Sequence, residues 1–113
     1  MFFRSLALQQ YNMYNVHMTL RFIWDENKNK ENIKKHGVSF EEAQTIFLNF
    51  PLEVFHDPEH SDSEDRYIAV GFSGKGHVLL VVHCENAKGT EIRIISARRT
   101  SKQETQSIFG GEK

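Results

Sequence analysis

The sequence has one cysteine in 113 residues, Cys84, close to the apolar run Val78-Leu79-Leu80-Val81-Val82. A lone thiol excludes an intramolecular disulfide, and its apolar setting fits a reducing compartment. No apolar stretch approaches the roughly 20 residues that a membrane helix requires. Met1 to Leu8 carry neither a long apolar run nor a small-residue cleavage site, which argues against a signal peptide. There is no Gly-rich phosphate loop, no metal-protease helix motif and no nucleophile elbow. These absences point to a soluble, cytoplasmic chain without a membrane association. Its length suits one domain that buries a core without disulfides or metals.

The charge is less neutral than the net value of −1 implies. Residues 41–65 hold eight acids and no Lys or Arg, whereas residues 66–102 hold seven bases against two acids. Such segregation produces a directed field unless the two segments neutralise each other in the fold. The basic half, Arg66 to Lys102, is the candidate working surface, suited to an anionic partner.

Residues 1–17 show no clear period and read as an N-terminal extension, either a flexible tail or an extra strand or helix, with Met18 as an alternative start. A single domain is expected over 18–109, with 110–113 as a tail. Leu20 to Trp24 predicts a short strand. Asp25 caps a helix over Glu26 to His36, and Gly37 ends it. Ser39-Phe40-Glu41-Glu42 reads as a capping box that opens a second helix. Phe40, Ala43, Ile46, Phe47 and Phe50 form its buried stripe, and Pro51 ends it. From Leu52 the period falls to two. Strands are expected at Leu52–Phe55, Arg66–Phe72, His77–Glu85 and Thr90–Ala97, the third covered on both faces. Ser101-Lys102-Gln103-Glu104 is a second capping box, opening a short terminal helix. The sum is an α+β domain built on an antiparallel meander.

The last strand carries the most chemistry. Simple alternation places Ile92, Ile94 and Ser96 on one face, and Arg93, Ile95, Ala97 and Arg99 on the other. Arginine within an apolar strand is costly unless it is paired or faces a cleft, and its planar fork suits phosphate. Arg98 and Arg99 stand beside the N-terminus of the last helix, itself an anion site. The competing role for these arginines is salt-bridging to the acidic segment. His83 ends the apolar strand, where a histidine is more often a satisfied core residue than a catalyst. Lys34, Lys35 and His36 suit the negative end of the first helix dipole without any ligand. His56, His60 and the acids around them match no calcium or zinc spacing, so no metal is expected there. From the residues alone the reading is a small anion-binding domain.

Phe22-Ile23-Trp24-Asp25-Glu26-Asn27-Lys28 and Asn32-Ile33-Lys34-Lys35-His36-Gly37-Val38-Ser39-Phe40-Glu41-Glu42-Ala43 resemble the opening of the BrnT family of bacterial toxins. Arg66-Tyr67-Ile68-Ala69-Val70-Gly71 and Ile92-Arg93-Ile94-Ile95-Ser96-Ala97-Arg98-Arg99, with Glu104 after them, resemble its later motifs. The match spans about residues 18–106. It implies a RelE-like fold, two N-terminal helices packed on a twisted antiparallel sheet in the order β-α-α-β-β-β-β, then a short C-terminal helix. It also implies a type II toxin that cleaves RNA without metal or cofactor, neutralised by a BrnA-like antitoxin encoded nearby. A homodimer or a heterotetramer with that antitoxin are the implied assemblies. Cleavage requires a base for the 2′-hydroxyl and cations for the phosphate. Arg66, Arg93, Arg98, Arg99 and His83 are the catalytic candidates, with Lys34, Lys35, His36 and Lys102 holding RNA. A non-enzymatic toxin of the gyrase-inhibitor kind and a module that only binds antitoxin are the alternatives.

Overall fold

The computed structural model describes residues 20–61 and 64–110, so the extension read over 1–17 lies outside the described residues. Strand β1 (Arg21–Ile23) leads into helix α1 (Glu26–His36), where the Asp25 carboxylate accepts from the Lys28 amide at 3.1 Å. Gly37 ends α1 at φ 72°, a left-handed conformation that glycine adopts without a Cβ penalty. The residues α1 buries are asparagines. Asn29 accepts from the Phe40 amide at 2.8 Å, while the Asn32 amide group donates to the carbonyls of Val38 (2.9 Å) and Ala97 (2.7 Å). Asn32 Oδ1 also accepts from the Ala97 amide at 3.1 Å, so one side chain ties α1 to the sheet.

Helix α2 (Phe40–Gln44) is capped by Ser39, whose hydroxyl accepts from the Glu42 amide at 3.0 Å. The predicted capping box is only half made. The Glu42 carboxylate turns away from the cap and reaches Ser73 and His77 instead. The helix is also shorter than its apolar stripe suggests. It tightens into a 3-10 turn over Thr45–Leu48 and leaves through Asn49 in extended backbone. Phe40, Ala43, Ile46 and Phe47 are buried as expected, but the chain turns out before Phe50, which is 79% exposed.

The remaining strands are β2 (Leu52–His56), β3 (Arg66–Phe72), β4 (Val78–Glu85) and β5 (Glu91–Arg99), followed by helix α3 (Lys102–Phe109). The sheet order is β1-β5-β4-β3-β2. β2 to β5 form the antiparallel meander expected, but β1 pairs with β5 in parallel, so the sheet is mixed. On the helix face Leu79, Val81, Ile92, Ile94 and Ala97 close over Phe40 and Ile46, all at most 1% exposed. Each such large side chain contributes roughly 1.5–3 kcal/mol through burial. The other face is half-covered: Val78, Leu80 and Val82 remain partly accessible, and α3 sets Phe109 against Phe72 with ring centres 5.6 Å apart. The central strand is therefore fully closed on one face only.

One irregularity changes the reading of β5. Val82 pairs with Ser96 and His83 with Ile94, so Ile95 is an extra residue, a β-bulge. Beyond it the alternation shifts by one. Ala97, paired with Val81, joins Ile92 and Ile94 on the helix face, and Arg99, paired with Leu79, follows it. Arg93, paired with Cys84, and Arg98, paired with Leu80, point to the opposite side. Arg93 and Arg99 thus do not share a face, contrary to simple alternation.

Candidate active site

The β3–β4 turn, Ser73-Gly74-Lys75-Gly76, sets the site. The Ser73 amide donates to the His77 carbonyl at 2.8 Å, and Gly76 takes φ 82° to close the turn. The Gly74 amide donates to Thr45 Oγ1 at 2.8 Å, which fastens the turn to the end of α2. His77 lies two residues before Leu79 and so faces the helices, where Glu42 meets it.

Glu42 Oε2 accepts from Ser73 Oγ at 2.7 Å and pairs with His77 Nδ1 at 2.8 Å. The other ring nitrogen, Nε2, stands 2.8 Å from Arg99 Nη2. Nη2 also lies 3.4 Å from Nδ1, so the guanidinium sits over the face of the ring. A carboxylate only accepts, so Nδ1 carries a proton toward Glu42. Burial pushes the Glu42 carboxyl upward. The hydrogen bonds from Ser73 and His77 and the charges of His77 and Lys75 outweigh it, and the net shift is downward. Glu42 is therefore a carboxylate at neutral pH.

Arg99 and His77 open onto a cavity of about 670 Å³, with Lys102, Thr100, Gln103 and Val78 in its wall. That size suits a small ligand or one nucleotide unit. An imidazole, a guanidinium and an ammonium thus meet in one place, the groups that acid–base chemistry on a phosphate ester calls for.

The other predicted site residues are dispersed. Arg98 is held by Glu104 through two hydrogen bonds, at 2.9 and 2.8 Å, which raises its pKa further, against the smaller effect of burial. Glu104 also accepts from the Ser101 amide at 2.9 Å, so the start of α3 is satisfied from within rather than by a ligand. Arg93 pairs with Glu64 of the acidic segment, the competing role weighed for it. Arg66 lies across Cys84 from Arg93, on the same opposite face. Burial raises the Cys84 thiol, so it stays protonated between these arginines.

His83 is a core residue, and its candidacy as a catalyst is corrected here. It is 0% exposed, stacked on Tyr67 at 5.7 Å and edged by Phe47 at 5.0 Å, with Glu85 3.8 Å away. A substrate has no access to it. Lys34, Lys35 and His36 are exposed on the last turn of α1, which the Asn32 bonds to Ala97 hold beside the end of β5. His56 pairs with Asp65 and His60 with Asp57, and among the described residues no three His, Cys, Asp or Glu side chains converge. His77, Glu42 and Ser73 were not predicted. His77 follows a Gly-rich turn, and Glu42 had an ordinary capping explanation.

A model of the family described as ribonuclease toxin, BrnT, of type II toxin-antitoxin system matches residues 24–104. The chain belongs to this BrnT family. The crystal structure of the Brucella abortus ribonuclease toxin BrnT is similar to it, with 26% identity, covering 74% of this chain and 100% of that one, at a TM-score of 0.57. No curated protein matches the chain in sequence. The matched BrnT segment runs from Trp24 to Glu104 and so contains Glu42, Ser73, His77, Arg99 and Lys102. Among the described residues no helix is long and apolar enough to cross a membrane.

Proposed function

We propose that this BrnT-family chain is a metal-independent endoribonuclease whose active site is the cavity shared by His77, Arg99 and Lys102. The observation that carries the reading is the 2.8 Å contact between His77 Nε2 and Arg99 Nη2 at the mouth of that cavity. In the free protein the guanidinium lies over the imidazole ring. An RNA phosphate draws Arg99 to its oxygens by charge-assisted hydrogen bonds and brings the 2′-hydroxyl to Nε2. Nε2 then takes the 2′-hydroxyl proton, the 2′-oxygen attacks phosphorus, and the bond to the 5′-oxygen breaks. The leaving oxygen takes a proton from solvent, and the products are a 2′,3′-cyclic phosphate and a 5′-hydroxyl. Arg99 and Lys102 offset the charge that grows on the phosphoryl oxygens, the task a metal ion performs in other nucleases.

Lys34, Lys35 and His36 extend this basic edge and hold the RNA strand on either side of the scissile bond. Arg66, Arg93, Arg98 and His83 leave the catalytic set. Family membership supports control by a BrnA-like antitoxin encoded nearby, in a heterotetramer or with the toxin as a homodimer, and action in the cytoplasm, where RNA is exposed. The helices over a mainly antiparallel sheet support a RelE-like arrangement.

The test is cleavage of a labelled RNA by the purified chain in excess EDTA. Wild type is expected to leave cyclic-phosphate ends, and His77→Ala to be inactive with an unchanged circular dichroism spectrum. Dependence on added Mg²⁺, or full activity of His77→Ala, refutes this mechanism. Growth arrest on expression without any RNA cleavage favours the non-enzymatic alternative.

A further inference from the structure

We infer that Glu42, braced by Ser73, is the positioning residue that makes Nε2 of His77 the base; this rests on cleavage at the cavity proposed above. Hydrogen-bond direction in the relay is settled from its Ser73–Glu42 end. The amides of Lys75 and His77 both donate to Ser73 Oγ, at 3.2 Å each, so the hydroxyl proton is turned toward Glu42. Ser73 Oγ and His77 Nδ1 then converge on the same atom, Glu42 Oε2. The guanidinium of Arg99 lies over the ring, 2.8 Å from Nε2 and 3.4 Å from Nδ1. A carboxylate only accepts, so Nδ1 holds the proton it shares with Glu42, and Nε2 is the ring nitrogen left for the substrate.

Glu42 has the placement of a dedicated orienter. It is 8% exposed, and Ser73 is 4% exposed. A carboxylate that far from water is costly unless donors surround it. It forgoes the Ser39 cap, its local alternative, to stand beside a histidine 35 residues away. The groups around His77 are Glu42 from α2, Lys75 from the turn, Arg99 from β5 and Lys102 from α3. Three of the four are cations. Glu42 is the anion among them, and it stabilises the imidazolium formed when Nε2 takes the 2′-hydroxyl proton.

Glu42→Gln tests the relay. The amide keeps the shape, and its oxygen still accepts from Ser73 Oγ and Nδ1, but the negative charge that stabilises the imidazolium is gone. A fall in kcat of about 10²-fold is expected, with KM within about threefold. Activity should climb with pH in the variant, and Glu42→Asp should restore part of it. Nitrogen-15 NMR of the unsubstituted protein gives a reading that no folding defect confounds. A proton on Nδ1 of His77 is expected, and a proton on Nε2 overturns the assignment. Wild-type kcat and pH profile in Glu42→Gln, with His77→Ala inactive, also overturns the relay while leaving the site in place. Full activity of His77→Ala refutes the site itself.

Discussion

Arg98 and Arg99 are neighbours in sequence and leave β5 on opposite faces of the sheet. Arg98 is clamped by both oxygens of Glu104, whereas Arg99 lies against Nε2 of His77. The two side chains have the same chemistry; alternation sends them to opposite faces, the bulge at Ile95 turns Arg99 toward the helices, and what each face offers does the rest. Arg98 completes the start of α3; Arg99 enters a cavity.

Their substitutions should therefore separate. Arg99→Met is expected to lower kcat on RNA by about 10²–10³-fold, the cost of one transition-state donor, without changing the melting temperature. Arg98→Gln should leave kcat within about threefold and lower the melting temperature instead, more at low salt than at high salt. Thermal melts and initial-rate assays on the two variants check this directly, and equal loss of activity in both would refute the division.

Acid should reveal the Glu104 partnership. Its hydrogen bonds from Arg98 and Ser101 hold the carboxyl at about 2, below its ordinary 4.5. A depressed folded-state pKa contributes stability that is full above about 4.5 and is lost as pH falls toward about 2. Glu42, also lowered, adds loss in the same direction. Melting temperature should fall across that window in the wild type, and Glu104→Gln should flatten part of the fall. An unchanged slope in the variant would place the acid sensitivity elsewhere.

The parts of this structure that depend on near neighbours were legible in the sequence. Asp25, Gly37 and the Ser101–Glu104 box act within one turn, and each occupies its expected role. The strand positions were legible for the same reason. Features settled across the sheet were not. The bulge at Ile95 depends on which residue of β4 lies opposite, and alternation along β5 alone assigns its arginines to the wrong faces. Phe50 continued a helical stripe on paper, but the switch to a 3-10 turn ended the stripe first. The site was half visible: Arg99 and Lys102 stood out by charge, while His77 gains its meaning only from Glu42, 35 residues upstream.

Burial of His83 carries its own consequence. Neither ring nitrogen has a hydrogen-bond partner among the described residues, although the side chain is fully enclosed. An unsatisfied buried polar group costs about 1–3 kcal/mol, while Leu has a similar volume and no such cost. Leu also removes the contact with the buried Glu85 carboxylate, so His83→Leu should keep the fold with an unfolding free energy within about 1 kcal/mol of the wild type, and should cleave RNA at the wild-type rate. Urea denaturation and the cleavage assay decide it. A large loss of activity in a stable variant would return His83 to the catalytic set.

Asn32 should behave in the opposite way. Its side chain makes three hydrogen bonds, to the Val38 carbonyl and to both the carbonyl and the amide of Ala97. It is 6% exposed, so water does not replace these partners once the side chain is removed. Asn32→Ala strands buried backbone groups and should destabilise the domain by about 2–4 kcal/mol, more than an average core truncation of one methyl. Asn32→Asp keeps the acceptor for the Ala97 amide but opposes a charge to two carbonyls, and should be worse than Ala. The position of the loss also matters. α1 rests on β5 through this side chain two residues before Arg99, so the same variants should raise KM for RNA as the Lys34–His36 edge moves away from the cavity. Denaturation curves with paired kcat and KM measurements check both effects. A stable Asn32→Ala protein with unchanged KM would show that α1 is held to the sheet by its other contacts.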